Sequence, residues 1–194
     1  ALLVLLAAAT FLLAPRPDRM PGQGKSLRDQ LTPLKELRVW RFSLYYVVVF
    51  GAYVALSAWL PKYYVDNFKV SLGSAALLTA TFIFPASLLR PGGGRVSDRL
   101  RARRPLYWTV AVMREVTLVL SMPNGHIVVM TKEGARAVLP YTIGLVPFAV
   151  LLFLLGCAMG IGKAAVYKHI PEYFPDNVGP VGGLVGMLGG LGGF

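Results

Sequence analysis

The chain has 194 residues, 55% hydrophobic and only 15% charged, with a formal net charge of +11 and a mean hydropathy of +0.58. A soluble domain of this length carries about 25% charged residues, so the composition points to a membrane protein. A basic balance can serve nucleic acid, but here the charges fall in short blocks between apolar runs, which argues against such a face.

A hydrocarbon core needs roughly 20 apolar residues as helix. Ala1–Pro15 is apolar and reads as the end of a membrane span. Neither an initiator methionine nor a basic stretch precedes it, so a signal peptide is not expected. Residues 16–41, containing PRPDRMPGQGKSLRDQLTP, are polar and rich in proline and glycine, and read as a linker. Their basic residues suit the surface of an anionic lipid leaflet.

The next uncharged run is Phe42–Pro61. Within it, SLYYVVVFGAYVALSAWL places Tyr46, Phe50 and Tyr53 within two helical turns, and Tyr46 and Phe50 are four apart on one face. Ordinary aromatic packing accounts for that spacing. So does a cavity wall whose ring edges, carrying partial positive charge, meet a flat anion.

Val70–Leu89 is a second uncharged run, and Arg90 follows in TATFIFPASLLRPGGGRVSDRL. An arginine in the last turns of a span can snorkel to the interface. It can also serve as an anion ligand, because the planar guanidinium fork matches nitrate, nitrite or a carboxylate bidentately, which an ammonium does not. Pro85 and Pro91 bracket this stretch, and a kink at Pro85 is expected. Gly94, Asp98 and Arg99 then open a basic loop. Their order resembles the G-x-x-x-D-R-x-G-R-R loop signature of the major facilitator superfamily. Arg101 stands where that signature has its second glycine. In the superfamily the aspartate caps a neighbouring helix and pairs with basic residues, latching one access state.

Pro105–Met122 reads as a span interrupted by Arg114 and Glu115, two mid-span charges that need not pair with each other. The loop PNGHIVVMTKEGARAVLP holds His126. A longer uncharged run, Ala137–Gly162, includes Cys157 as a small packing residue, and His169 follows in the loop KHIPEYFPDN. Neither histidine has a partner at metal-ligand spacing, and a single cysteine forms no cluster. No P-loop, Ser/His/Asp array or paired catalytic carboxylates are present, so neither an enzyme nor a cofactor is expected.

Orientation follows from the lysines and arginines. Segments 16–41, 95–104 and 163–177 hold fourteen, whereas 62–69 and 123–136 hold four. The first set is expected in the cytoplasm.

The closing stretch, Val178–Phe194, is apolar but glycine-rich. Gly182, Gly186 and Gly190 recur every four residues, as do Gly179 and Gly183, and Gly189 and Gly193. Such faces let helices pack closely in lipid, and Gly182 and Gly190 are read as packing positions. The order of residues in PEYFPDNVGPVGGLVGMLGGLGGF goes further: it resembles the nitrate signature of the nitrate/nitrite porter family, a branch of the major facilitator superfamily. In that family the signature lies on the eleventh of twelve helices.

The resemblance covers essentially the whole chain. It implies an all-α membrane protein, a partial facilitator bundle of about helices six to eleven. Residues 1–15 would end helix six, 16–41 would be the interdomain linker, and 42–194 the C-terminal half-bundle, with the N-terminal half of the same transporter as its partner. Arg90 then matches the substrate-binding arginine of helix eight, and Tyr46 and Phe50 match aromatics of helix seven. The backbone at Gly183 and Gly186 would contact the anion. The implied activity is transport of nitrate and nitrite across a bacterial inner membrane by alternating access. Antiport and proton symport both remain open, and exchange is favoured because Glu115 is the only acid in the expected spans. The alternatives are a facilitator for another small anion, and a membrane structural protein that oligomerises through its glycine face.

Overall fold

The computed structural model describes residues 2–13, 26–100, 103–122, 125–132 and 134–194. Helix α1 (Leu2–Leu13) is apolar, with its leucines exposed. Much of the expected linker lies outside the described residues, but from Ser26 the chain is folded. Ser26 and Asp29 form a capping box, each accepting from the other's backbone N–H at 3.2 and 3.3 Å, which starts α2 (Leu27–Leu31). Pro33 enters a 3-10 turn over Thr32–Lys35, where its missing N–H leaves nothing unsatisfied. Helix α3 (Leu37–Tyr46) begins before the expected Phe42, because Val39, Phe42, Ser43 and Tyr46 form one buried stripe at helical spacing.

Helix α3 passes into a π turn at Val47–Gly51 and on into α4 (Ala52–Phe68), together one crossing from Leu37 to Phe68. The π turn contains no proline. It lies where the backbone of Gly51 meets Gly192: a Cβ on Gly51 would sit 2.6 Å from the Gly192 Cα. Helix α5 (Leu72–Leu100) runs through Pro85 and Pro91 as one helix. It also takes in Gly92–Gly94 and residues 95–100, which sequence alone placed in a loop. Helix α6 (Arg103–Ser121) buries Leu106, Thr109, Met113 and Val116 on one face.

The greatest departure concerns the segment before and within α7. Residues expected as loop and span fold as an antiparallel hairpin, β1 (Gly125–Thr131) with β2 (Gly134–Tyr141), Thr131 opposite Gly134. Gly134 takes a φ of 121°, which L side chains avoid, and so closes the turn. Pro140 disfavours helix at the residue before it, so the helix is delayed. Helix α7 therefore spans Leu145–Tyr173 rather than Ala137–Gly162. It absorbs Lys163 and His169, both expected in a cytoplasmic loop. Their exposures are only 3% and 2%. The fold is the expected helical bundle with this one hairpin added.

A 3-10 turn (Pro175–Asn177) leads to α8 (Val178–Gly190) and a final 3-10 turn over Leu191–Gly193. Among the described residues three helices are long and apolar enough to cross a membrane: Leu37–Phe68, Leu72–Asp98 and Leu145–Tyr173.

Glycines set the spacing of these helices. Gly160 of α7 lies so close to α5 that a Cβ would sit 3.0 Å from the Ala86 carbonyl oxygen, and Gly156 is tighter still against Phe82. In the closing stretch the close approach belongs to Gly189 on Tyr46, Gly192 on Val47 and Gly51, and Gly193 on Val54. Gly182 makes only ordinary contact with Tyr167, and nothing lies within 4 Å of a Cβ on Gly190. Within the described residues the tightest contacts of this stretch thus fall to Gly189 and Gly192 rather than to Gly182 and Gly190.

Substituting Gly189 by valine drives a side chain into the Tyr46 ring and is expected to destabilise the bundle by about 1–3 kcal/mol. Thermal unfolding in detergent should show a clear drop in Tm. Gly73→Ala, in open space at the start of α5, should leave Tm near its original value.

Candidate anion site

Five helical segments bring the site together. Tyr46 ends α3, Phe50 belongs to the π turn, Tyr53 opens α4, Arg90 lies on α5 and Tyr167 on α7. The three rings form a ladder. Tyr46 and Phe50 stack with centroids 5.0 Å apart and planes 18° apart, and Phe50 and Tyr53 follow at 6.5 Å and 26°. Tyr167 meets Tyr46 edge-on at 5.0 Å. Edge and face contacts of this kind suit the ring quadrupoles.

The Arg90 side chain is on the exposed side of this cluster, and its guanidinium lies against rings of two other helices. Its Nη2 donates toward the Tyr46 hydroxyl at 3.5 Å, and its Cζ is 5.7 Å from the Tyr167 ring centroid. The sequence-expected trio of Arg90, Tyr46 and Phe50 is therefore one spatial unit. Tyr167 was missed by sequence reading: a tyrosine in a stretch read as loop carries no periodic signal.

Tyr167 also ties the glycine-rich helix to the site. Its hydroxyl donates to the Gly182 carbonyl at 3.2 Å, and a Cβ on Gly186 would lie 2.8 Å from that hydroxyl. Gly186 thus stands beside the cluster, and the space over Gly183 is open.

Lys163 was also missed. Counting charges by loop assigned it to topology. Instead it sits on α7, almost fully buried, with its Nζ 3.5 Å from the Tyr53 ring centroid and 6.0 Å from that of Phe50. Each is a cation–π approach. Among the described residues the ion pairs are Lys62–Asp66, Arg114–Glu115 and Lys168–Asp98. Neither Arg90 nor Lys163 takes part in one.

The family model of the major facilitator superfamily matches residues 1–194. The chain belongs to that superfamily. A Thermus thermophilus protein named probable nitrate/nitrite antiporter NarK1 is 64% identical over the whole of this chain, which covers 44% of that relative. The nitrite extrusion protein of Bacillus subtilis and the probable nitrate transporter NarT of Staphylococcus epidermidis are each 34% identical. This chain is aligned over 99% and 100% of its length with them, covering 44% and 45% of theirs. The chain spans less than half the length of these relatives. It is a multi-pass membrane protein.

In this facilitator the loop-signature residues sit at the end of α5. Asp98 forms an ion pair with Lys168 of α7, and Arg99 follows it on the helix. Nothing lies within 4 Å of a Cβ on Gly94, and Arg101 is outside the described residues. Arg114 and Glu115, far from the ring ladder in sequence, pair with each other on the exposed face of α6, the arginine Nε donating at 3.0 Å. Sequence alone left their pairing open; here two long side chains bridge neighbouring positions on the helix surface. His169 is not a loop residue: it is buried, with Nδ1 2.7 Å from the Ala165 carbonyl oxygen.

The Asp98 and Lys168 side chains are 54% and 40% exposed, so solvent screens their attraction. A double-mutant cycle of Asp98→Asn and Lys168→Met should give a stability coupling below about 1 kcal/mol. A much larger coupling would show that the pair anchors the fold rather than joining two solvated side chains.

Proposed function

We propose that the chain is the C-terminal half-bundle of a transporter that carries nitrate and nitrite across the inner membrane by alternating access, with Arg90 as an anion ligand. The observation that carries this reading is the guanidinium of Arg90 turned onto Tyr46 and Tyr167. A planar fork of donors is held over a water-excluding ring cluster. Residues 16–41 act as the linker to the other half, and 16–41, 95–104 and the end of α7 through residue 177 face the cytoplasm, as the lysine and arginine count supports.

The site geometry fits a flat oxyanion. Its edge takes paired hydrogen bonds from Arg90, while the edges and hydroxyls of Tyr46 and Tyr167 surround it. Gly186 brings its backbone up to the Tyr167 hydroxyl, and the space over Gly183 is open, so the backbone of this helix is the third wall we assign to the anion. The opposing half of the longer protein closes the cavity and supplies its own positive charge. Alternating exposure follows when the halves rock about this midplane site. Between nitrate/nitrite exchange and nitrate–proton symport, exchange is favoured. Glu115, the only acid in the expected spans, is tied to Arg114 on an exposed face.

The test is Arg90→Lys in the full-length transporter. The charge remains but the bidentate fork is lost, at a cost of roughly 1.5–3 kcal/mol in anion binding. Nitrate uptake into proteoliposomes should fall about 10- to 100-fold, with insertion and Tm unchanged. Uptake at the original level in the lysine variant would remove Arg90 from the site.

A further inference from the structure

A lysine buried inside a membrane-spanning helix is costly unless something balances it. Lys163 is such a residue. It lies ten positions before the end of α7, or about 15 Å along the helix. Its ammonium does not run to the helix end. It rests on Tyr53, with Phe50 next. No carboxylate among the described residues forms an ion pair with it, and the charge it meets on α5 is Arg90, of the same sign.

The ring ladder thus has a cation at each end. Arg90 touches its Tyr46 end, and Lys163 touches its Tyr53 end. Aromatic faces offset part of the burial of one cation, but they do not relieve the repulsion between two. A small monovalent oxyanion beside the ladder does both at once. Gly162, the residue before the lysine, packs on Val49 of the π turn: a Cβ there would sit 2.9 Å from the Val49 Cγ1. That contact fixes the lysine's base against the segment carrying Phe50.

We propose that Lys163 is a second anion ligand of this half-bundle, resting on the Tyr53 ring when the site is empty and moving onto the anion when it is filled. This rests on the anion-transport reading above and adds to it a ligand on α7. Arg90 supplies shape recognition through its fork. Lys163 supplies a mobile point charge, so it adds affinity without demanding one orientation of the anion.

The experiment uses the purified full-length transporter in detergent, with nitrate titrated by calorimetry and Tm measured in nitrate-free buffer. Lys163→Met removes the charge and keeps the length. Nitrate Kd should rise at least about tenfold while the nitrate-free Tm stays level or increases, because a buried unbalanced charge has gone. Lys163→Arg should keep Kd within about threefold. A purely structural lysine moves the other way, losing Tm in the methionine variant with Kd unchanged, and that result overturns the proposal. If Lys163→Met does not fold, Lys163→Gln is read by the same two measurements. Loss of binding in Arg90→Lys with none in Lys163→Met overturns the lysine's role and leaves the transport reading standing. Absence of nitrate binding to the unsubstituted protein overturns both.

Discussion

The contact on which the site depends is between two glycines. Gly192, at the end of the glycine-rich segment, lies against the backbone of Gly51 in the π turn. A side chain at either position would hold the two segments apart. Without hydrophobic drive between helices in lipid, such close van der Waals packing is what brings them together. The same stretch presses Gly189 onto the Tyr46 ring and Gly193 onto Val54. Bare helix therefore backs the Tyr46 end of the ring ladder and the turn that carries Phe50. On the other side, Gly160 and Gly156 bring α7 onto α5, which carries Tyr167 and Lys163 toward Arg90.

Electrostatics complete what packing begins. The described ion pairs all lie at partly exposed positions, where they contribute little. The two cations at the rings have no such partner. In the proposed anion site, filling would relieve what the empty bundle leaves unbalanced, so affinity for an anion and stability of the empty bundle would pull in opposite directions. The Tyr167 hydroxyl, bonded to the Gly182 carbonyl, joins that site to the glycine-rich helix, so movement of α8 is felt at the ring that Arg90 touches.

Much of this was legible in residue order. Position and spacing singled out Arg90, Tyr46 and Phe50 but left snorkelling and ordinary packing open for them, and it was the resemblance of the closing motif that joined them as one site. What was not legible has physical causes. Charge-based topology treats each lysine as a loop marker, so it cannot see one whose ammonium is held on an aromatic face. Lys163 was lost that way, and the true length of α7 with it. The glycine repeat announced close packing but not its partner, because spacing along one helix says nothing about which neighbour approaches. The structure assigns that contact to Gly189 and Gly192 instead of Gly182 and Gly190. The hairpin was hidden because Ala137–Tyr141 is uncharged and continues into an apolar run, whether as strand or helix.

The π turn has a consequence for how the crossing Leu37–Phe68 is aimed. A π turn holds one residue more than an α turn, and each residue of an α-helix advances about 100° around its axis. The helical phase of α4 is thereby offset from that of α3. Tyr46 precedes that turn and Tyr53 follows it, so the added residue sets how the ring that meets Arg90 and the ring that meets Lys163 line up along one crossing.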